Sequence, residues 1–282
     1  MIGLDTKEIL MGLADQIHWS FQYDGRSQAP LFGERLVEIM QEAVVEEPAN
    51  ESAIVDRYLI LPNYWKGYRG RGLEEDNNKI EIGEVVVDRK QVDSGNWHYE
   101  VRSLNLTSGE DLRLDFECLD NAFCTLTDAW KVSVVNGANH GYKGFACDGK
   151  LTTQGDQQHI TLTVNGVDLP SGLFNRDDPV TCNWTLFDVI PNLADMMKNS
   201  GERVSLTMLE DLEKVREHIR IGFMENFDLQ VGDEVLSLDG FFNYGEGTLS
   251  SYWWLDRQGV VRIASTLFQT FVLVSRKTGG GA

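Results

Sequence analysis

Stretches beyond about residue 80 alternate apolar and polar side chains, and this period of two constrains the fold more than any other feature of the chain. In WHYEVRS, from Trp97, and in LRLDFEC, from Leu112, every second residue is apolar. Successive side chains of a strand point to opposite faces of its sheet. Such alternation therefore predicts antiparallel strands with one face on a core and the other in water.

The connection between these two strands contains SGED, which is typical of a turn. A turn centred near residues 108–109 sets Arg102 opposite Asp115 and, on the other face, Val101 opposite Phe116. The same reasoning predicts further strands at 123–135, 142–147, 158–164, 219–224, 227–231, 235–238, 248–255, 260–263 and 267–275. The dipeptide Asn165-Gly166 lies between HITLTV and VDL, and because both residues tolerate a positive φ it predicts a tight hairpin.

Helical patterns are confined to three parts of the chain. The first 60 residues look helical, with capping-box spacing at Asp5 and Glu8 and a second helix expected from Pro30. The apolar face of that second helix consists of Leu36, Ile39, Met40, Ala43 and Val44. Residues 184–199 are expected to be mostly helical, and 209–215 to form a short helix or an irregular crossing. We expect a helical segment, residues 1–75, packed on a β unit, residues 76–282, in one compact body.

The closing strands carry the densest aromatic stretch, SYWWLDRQGVVRI, from Ser251. Tyr252 and Trp254 should point to one side of their strand, and Trp253 and Leu255 to the other. The sequence from Asp256 to Gly259 suits a type I turn. Because these strands are apolar on both sides, we expect one face to look into a curved sheet and the other to lie under an amino-terminal helix.

The fold class that follows is mainly β, a curved antiparallel sheet or half-barrel with helical additions. Four segments carry a family resemblance: GEVVVDRKQVDSGNWHYEVRS, DGKLT at 148–152, VNGVDLPSG at 164–172, and YWWLDRQGVVRI. Over about residues 80–277 the chain resembles uncharacterised bacterial half-barrel proteins of the lipoprotein-carrier (Lol-type) fold. That resemblance implies a sheet wrapped around helices. It also implies a fold that hosts carriers of lipidated proteins, ligand-binding proteins and some biosynthetic enzymes.

Charge and composition exclude several function classes. Acidic residues outnumber basic ones by 44 to 25, a net charge of −19 that repels nucleic acid and anionic membranes. No apolar run reaches the roughly 20 residues that span a bilayer. The four cysteines and the histidines have no zinc-ligand spacing, so we expect no metal and no cofactor. We expect a cytoplasmic protein, or a periplasmic or secreted one if a signal peptide was removed.

Three groups of residues are candidates for function. The first is a set of aromatic residues on predicted strands, which would line an apolar pocket if they faced inwards and would otherwise be ordinary core: Trp97, Tyr99, Phe116, Trp130, Tyr252 and Trp254. The second is His98, Glu100 and Glu117, which share the polar face of one hairpin. Neighbouring carboxylates can act as an acid beside a base. The strict alternation favours instead a solvated outer face, with Arg102 and Arg113 as exposed partners.

The third candidate group lies in YWKGYRGRG, where Arg69 and Arg71 stand among aromatic residues. Such arginines could bind a phosphate or a carboxylate on a small ligand. The alternative is a loop that fixes the helical segment to the sheet.

The favoured function is binding of an apolar or amphipathic small molecule on the concave face of the sheet. The alternative is a cofactor-independent lyase, cyclase or isomerase that uses carboxylate and histidine acid–base chemistry. A third hypothesis is a structural or partner-binding protein, possibly a homo-oligomer. The sequence does not decide whether the chain is an enzyme.

Overall fold

The structure, a computed structural model, describes residues 34–46, 52–62, 81–106, 108–135, 144–154, 157–175, 178–266 and 269–279. Within these ranges lie two α-helices, α1 (Glu34–Glu42) and α2 (Leu186–Ser200), and sixteen strands. The strands are β1 (Val44–Val45), β2 (Ala53–Pro62), β3 (Gly83–Gln91), β4 (Trp97–Asn105), β5 (Asp111–Cys118), β6 (Leu126–Val135), β7 (Phe145–Gln154), β8 (Gln157–Val164), β9 (Val167–Asn175), β10 (Val180–Cys182), β11 (Val204–Glu210), β12 (Lys214–Val231), β13 (Glu234–Tyr244), β14 (Ser251–Leu255), β15 (Val261–Ser265) and β16 (Gln269–Thr278).

All the described strands join one long, mainly antiparallel sheet. Its order is β10-β11-β12-β13-β14-β15-β16-β2-β3-β4-β5-β6-β7-β8-β9, with β1 beside β16. Only the pairs β10–β11 and β1–β16 are parallel among these strands. The sheet is strongly curved, because β9 contacts β12 and β6 contacts β10 although they are far apart in the strand order. The architecture is therefore an open, curved sheet of barrel-like shape, in agreement with the mainly β prediction.

The predicted alternation is confirmed on β4 and β5, and β3 shows it as well. The inward side chains of these strands are buried: Val85, Val87, Tyr99, Val101, Leu114 and Phe116. The predicted register is wrong by two residues, since Arg102 lies opposite Arg113 and Val101 opposite Leu114. The turn between β4 and β5 is centred one residue earlier than predicted. Moving a turn centre by one residue shifts the partners by two, so each side chain keeps its face.

Two predicted turns are confirmed. Asn165 and Gly166 have φ values of 53° and 77° and join β8 to β9 as a two-residue hairpin. In the turn before β15, the N–H of Gly259 donates to the carbonyl oxygen of Asp256 at 3.0 Å. The Asp256 side chain accepts from the N–H of Val260, also at 3.0 Å, which fixes the entry into β15.

Two other predicted elements are corrected. Residues 209–215 form no helix but the hairpin between β11 and β12, whose turn holds Asp211 and Leu212 at φ values of 52° and 59°. The two strands predicted at 219–224 and 227–231 are the single strand β12. A bulge between Phe223 and Glu225 absorbs the break in the alternation.

The helical prediction for the first 60 residues holds for one described stretch and fails for another. Helix α1 covers the predicted apolar positions Leu36 and Ile39, but Val44 lies in β1. Strand β2 falls inside the segment predicted to be helical. Its inward residues recur with a period of two, which suits a strand between β16 and β3. The helix predicted near Asp5 lies outside the described residues, and the boundary at residue 75 stays a prediction.

The sheet buries side chains on both faces near the closing strands. Trp253 and Leu255 belong to the inner core, which surrounds α2, while Trp254 packs in a second cluster on the outer face. In that outer cluster α1 contributes Leu36, Ile39 and Met40. No helix in the described ranges is long and apolar enough to cross a membrane.

Candidate functional site

The inner face of the curved sheet holds a cavity of about 570 Å³. The lining includes residues of β2, β4 and β5 and of β11 to β16. The start of α2 and the β11–β12 turn complete the lining. Exposed residues such as Glu110 and Leu249 are part of the lining, so the cavity opens to solvent.

Four aromatic rings form a continuous wall of this cavity. The rings of Trp184 and Phe187 are nearly parallel, with centroids 6.5 Å apart. Trp184 meets Phe271 edge-on at 6.2 Å, and Phe187 meets Trp253 edge-on at 5.0 Å. Phe187 comes from the first turn of α2, Trp184 from the 3-10 turn Asn183–Thr185 just before it, and the other two rings from β14 and β16. The wall therefore forms only when the helix enters the curved sheet. The four rings offer a broad apolar surface against which an apolar group of a ligand can pack.

The indole N–H groups of this wall already have acceptors. The Nε1 of Trp253 donates to the Oγ of Ser251 at 2.8 Å and to the Oδ1 of Asn243 at 3.2 Å. Ser251 in turn donates to Asn243, and both residues are buried. Buried polar groups cost free energy unless they are hydrogen-bonded, so this network lets the Trp253 ring form part of a cavity wall.

The turn between β11 and β12 supplies the acceptor for the second indole N–H, that of Trp184. The Nε1 of Trp184 donates to the Oδ1 of Asp211 at 2.8 Å, and the N–H of Asp211 donates to Asn183 at 2.8 Å. The next residue, Leu212, is fully buried, and its carbonyl oxygen accepts from the Nε1 of Trp130 at 3.0 Å. A leucine with φ of 59° costs about 1–3 kcal/mol and persists only because its surroundings hold it in place. These contacts hold the Asp211 carboxylate at the cavity.

Charged side chains of the lining are mainly acidic. Glu110, Glu210 and Asp211 line the cavity, against one guanidinium, that of Arg216. Arg216 is bound to Glu210 at 2.7 Å. Near the turn, burial and the charge of Asp211 raise the pKa of the Glu213 carboxyl. In the described part of the chain Asp211 has hydrogen-bond donors but no ion-pair partner.

The remainder of the interior contains a buried charge network. Arg89 is 1% exposed and forms ion pairs with Asp56 of β2 and Asp188 of α2. The hydroxyl of Tyr99 donates to the Oδ2 of Asp188 at 3.1 Å. Burial lowers the pKa of Arg89, but the two carboxylates outweigh it and hold that pKa well above its usual value. This network fixes α2 to the sheet beside the cavity.

The six aromatic residues predicted to bind a ligand do not line this cavity. Tyr99 and Phe116 stack at 5.0 Å in the inner core, where Trp130 is also buried. Trp97 is half-buried, and its Nε1 donates to Asp120 at 3.1 Å. Tyr252 and Trp254 face the outer cluster under α1. The structure therefore places this set in three environments.

The predicted acid–base group lies on the outer face of β4 and β5. His98 is opposite Glu117, and Glu100 is opposite Asp115. The Nε2 of His98 lies 3.5 Å from the Oε1 of Glu100, whose side chain is 59% exposed. Glu100 lines a polar depression of about 900 Å³ on this face, and neither His98 nor Glu117 does. His98 therefore lies beside both carboxylates, Glu100 and Glu117 face different residues across the two strands, and none of the three lines the inner cavity.

The remaining predicted residues, Arg69 and Arg71, lie outside the described residues. Among the described residues, no group of three or more histidine, cysteine or acidic side chains could hold a metal ion.

Sequence reasoning missed the residues that line the inner cavity. The alternation separated Trp253 from Tyr252 and Trp254 correctly, but it did not identify which side is enclosed. The spacing of Trp184 and Phe187, three residues apart, is the one available signal, because it places both on one side of a predicted helix. Nothing in the sequence predicts that Asp211 lies beside Trp184.

No family model matches the sequence, and no curated protein matches it. In structure, the chain is similar to a β-barrel-like protein of DUF1849, a domain of unknown function, from Brucella abortus. The TM-score is 0.50 at 9% identity, over 82% of this chain and 99% of that chain. A DUF1089 family protein from Pseudomonas aeruginosa gives a TM-score of 0.31 at 13% identity, over 63% and 86% of the two chains. The first likeness shows a shared barrel-like fold and nothing about activity.

Proposed function

We propose that the protein binds an apolar or amphipathic small molecule in the inner cavity. The observation that carries this proposal is the continuous wall of Trp184, Phe187, Trp253 and Phe271 around about 570 Å³ of space. Small-molecule sites have volumes of about 300–1,000 Å³ and apolar linings with a few placed polar groups. The resemblance to lipoprotein carriers gives the proposal a finer form, a half-barrel carrier acting in the cytoplasm or, after export, in the periplasm.

A cofactor-independent enzyme is the second candidate. The observation in its favour is that carboxylates reach the cavity, with Asp211 and Glu210 on either side of the end of β11. Under this proposal acid–base chemistry would be carried out by these two groups rather than by the outer His98 and Glu100. Pairing with another chain through the exposed apolar residues Val167 and Leu169 on the end strand β9 remains a third proposal.

A cavity-filling variant tests the binding proposal. Ala264 lines the cavity and lies between Trp253 and Phe271 in the strand register, so Ala264→Leu adds volume among the rings. We expect the uncharged fluorophore phenylnaphthylamine to bind the wild-type protein. The variant should weaken that binding by about tenfold or more, equivalent to about 1.4 kcal/mol.

The matched control is Ala129→Leu, the same substitution at an exposed position on β6 outside the cavity. It should leave the dissociation constant unchanged. The proposal is wrong if the wild-type protein does not bind the probe, or if Ala264→Leu binds it as tightly as Ala129→Leu does.

A further inference from the structure

We infer that the ligand of the inner cavity is an amphipathic cation, with an apolar body and a protonated amine or quaternary ammonium group. This inference rests on the binding function proposed above and adds the sign of the ligand's charge. Three features of the cavity support it: the faces of the rings, the hydrogen-bonding state of the donors, and the balance of the charges.

The indole N–H groups of the aromatic wall are not available to a ligand. The indole N–H of Trp184 is directed to Asp211 and that of Trp253 to Ser251 and Asn243. What remains available to a ligand is the π surface of these rings. That surface is electron-rich and attracts a cation within about 6 Å of the ring centroid. The attraction is most effective for a weakly hydrated ammonium ion, because such an ion loses little hydration free energy when it binds.

The positive charge of the lining is already neutralised. The guanidinium of Arg216 is bound to Glu210 through two of its nitrogens, at 2.8 and 2.7 Å. An anionic ligand would have to compete with Glu210 for this one guanidinium. The neutral lining residues, such as Asn183 and Ser265, both donate and accept, so they do not select a charge.

A carboxylate without a cationic partner lies against the aromatic wall. Within the described ranges Asp211 accepts hydrogen bonds from Trp184 and Asn183 but forms no ion pair. The left-handed turn fixes its position, because Asp211 has φ of 52° and Leu212 is buried beside it. A carboxylate next to aromatic faces is the combination that recognises a hydrophobic ammonium ion. The net charge of −19 also favours the approach of cations.

The test compares three probes whose main chain has eight carbons: octyltrimethylammonium, octanol and octanoate. Titration calorimetry at physiological ionic strength should rank them in that order, with the cation bound about tenfold more tightly than the alcohol. If none of the three binds, the proposed binding function fails as well. If octanol binds as tightly as the ammonium ion, or octanoate binds most tightly, only the inference of a cation is wrong.

Variants locate the source of the preference. Asp211→Asn removes the charge but keeps an oxygen that accepts from Trp184, and asparagine tolerates the left-handed backbone at this position. We expect it to lower the ratio of cation affinity to alcohol affinity by about tenfold. Asp93→Asn, in the exposed turn between β3 and β4, makes the same change in net charge and should leave the ratio unchanged. An equal fall in both variants would overturn the role of Asp211.

Discussion

The interior of the curved sheet has two halves with opposite characters. In one half, α2 fills the space, and its inward residues Ile190, Leu193 and Met197 pack against the sheet. In the other half, the start of the same helix and the closing strands leave a cavity of about 570 Å³. One sheet and one helix therefore give a filled region and a hollow one.

The polar groups of the two halves differ in the same way. The filled half contains full charges, since Arg89, Asp56 and Asp188 form a network with two members almost completely buried. The hollow half has a neutral buried network at Asn243 and Ser251, and its charged groups stand nearer to solvent. Buried ion pairs tolerate little displacement, because an unpaired buried charge is costly. The filled half therefore fixes the position of α2, and that position holds two rings of the cavity wall in place.

The largest expected effect comes from removing the positive charge of Arg89 in the filled half, which tests whether the buried ion pairs hold α2 in place. Arg89→Met removes the guanidinium that joins buried Asp56 to partly buried Asp188, and Asp56 then keeps only Arg276, at 3.4 Å. We expect the free energy of unfolding to fall by about 3–5 kcal/mol. Urea denaturation followed by circular dichroism measures the change.

The control is Arg57→Met. Arg57 pairs with Glu84 at 2.6 Å, but its side chain is 50% exposed, and surface pairs contribute about 0–1 kcal/mol. Equal losses in the two variants would show that the Arg89 network does not hold the helix.

The same substitution made in both halves sharpens the contrast between filled and hollow. Ala194 of α2 packs against the inner core, so Ala194→Leu should cost about 1–3 kcal/mol through overpacking. In Ala264→Leu the added carbons enter the cavity, and the cost should be smaller. Thermal unfolding of both variants measures the difference. If Ala264→Leu is the more destabilising of the two, the cavity does not have room for the added side-chain carbons.

Much of this fold follows from the period of two. The alternation predicts β4 and β5 and the opposite directions of Trp253 and Trp254, because a strand has no other way to orient successive side chains. It fails where geometry is not local. The β4–β5 register depends on one turn, and the β11–β12 hairpin needs two residues with positive φ that are not glycine.

The candidate site is less predictable, because it forms from segments that are distant in the sequence. Trp184 and Asp211 are 27 residues apart, and their contact depends on how the sheet curves. The buried charges beside the site have a signal in the sequence. Arg89 is in phase with the apolar residues Val85 and Val87, and Asp56 is in phase with Tyr58. A charged residue at an inward position predicts a buried ion pair, although the sequence cannot name the partner.

The smallest expected effect concerns an ion-pair group on the outer face, whose two arginines, unlike Arg89, are half-exposed. Asp111 accepts hydrogen bonds from Arg102 at 2.9 Å and from Arg113 at 2.8 Å. These bonds lower the pKa of Asp111 from 3.8 to about 2. Because the pKa is lower in the folded protein, the stabilisation is complete above the unfolded pKa and disappears as the pH falls through the folded one.

We therefore expect Asp111→Asn to reduce the free energy of unfolding by on the order of 1 kcal/mol at neutral pH, since solvent screens the two half-exposed arginines. This deficit should shrink as the pH falls from about 3.8 towards about 2. Urea denaturation at a series of pH values, with Asp93→Asn as the exposed control, measures it. A deficit that is as large at the acid end as at neutral pH would assign the loss to packing rather than to charge. In that case the charges of the outer ion pairs would contribute little to the free energy of unfolding, unlike those of the buried Arg89 network.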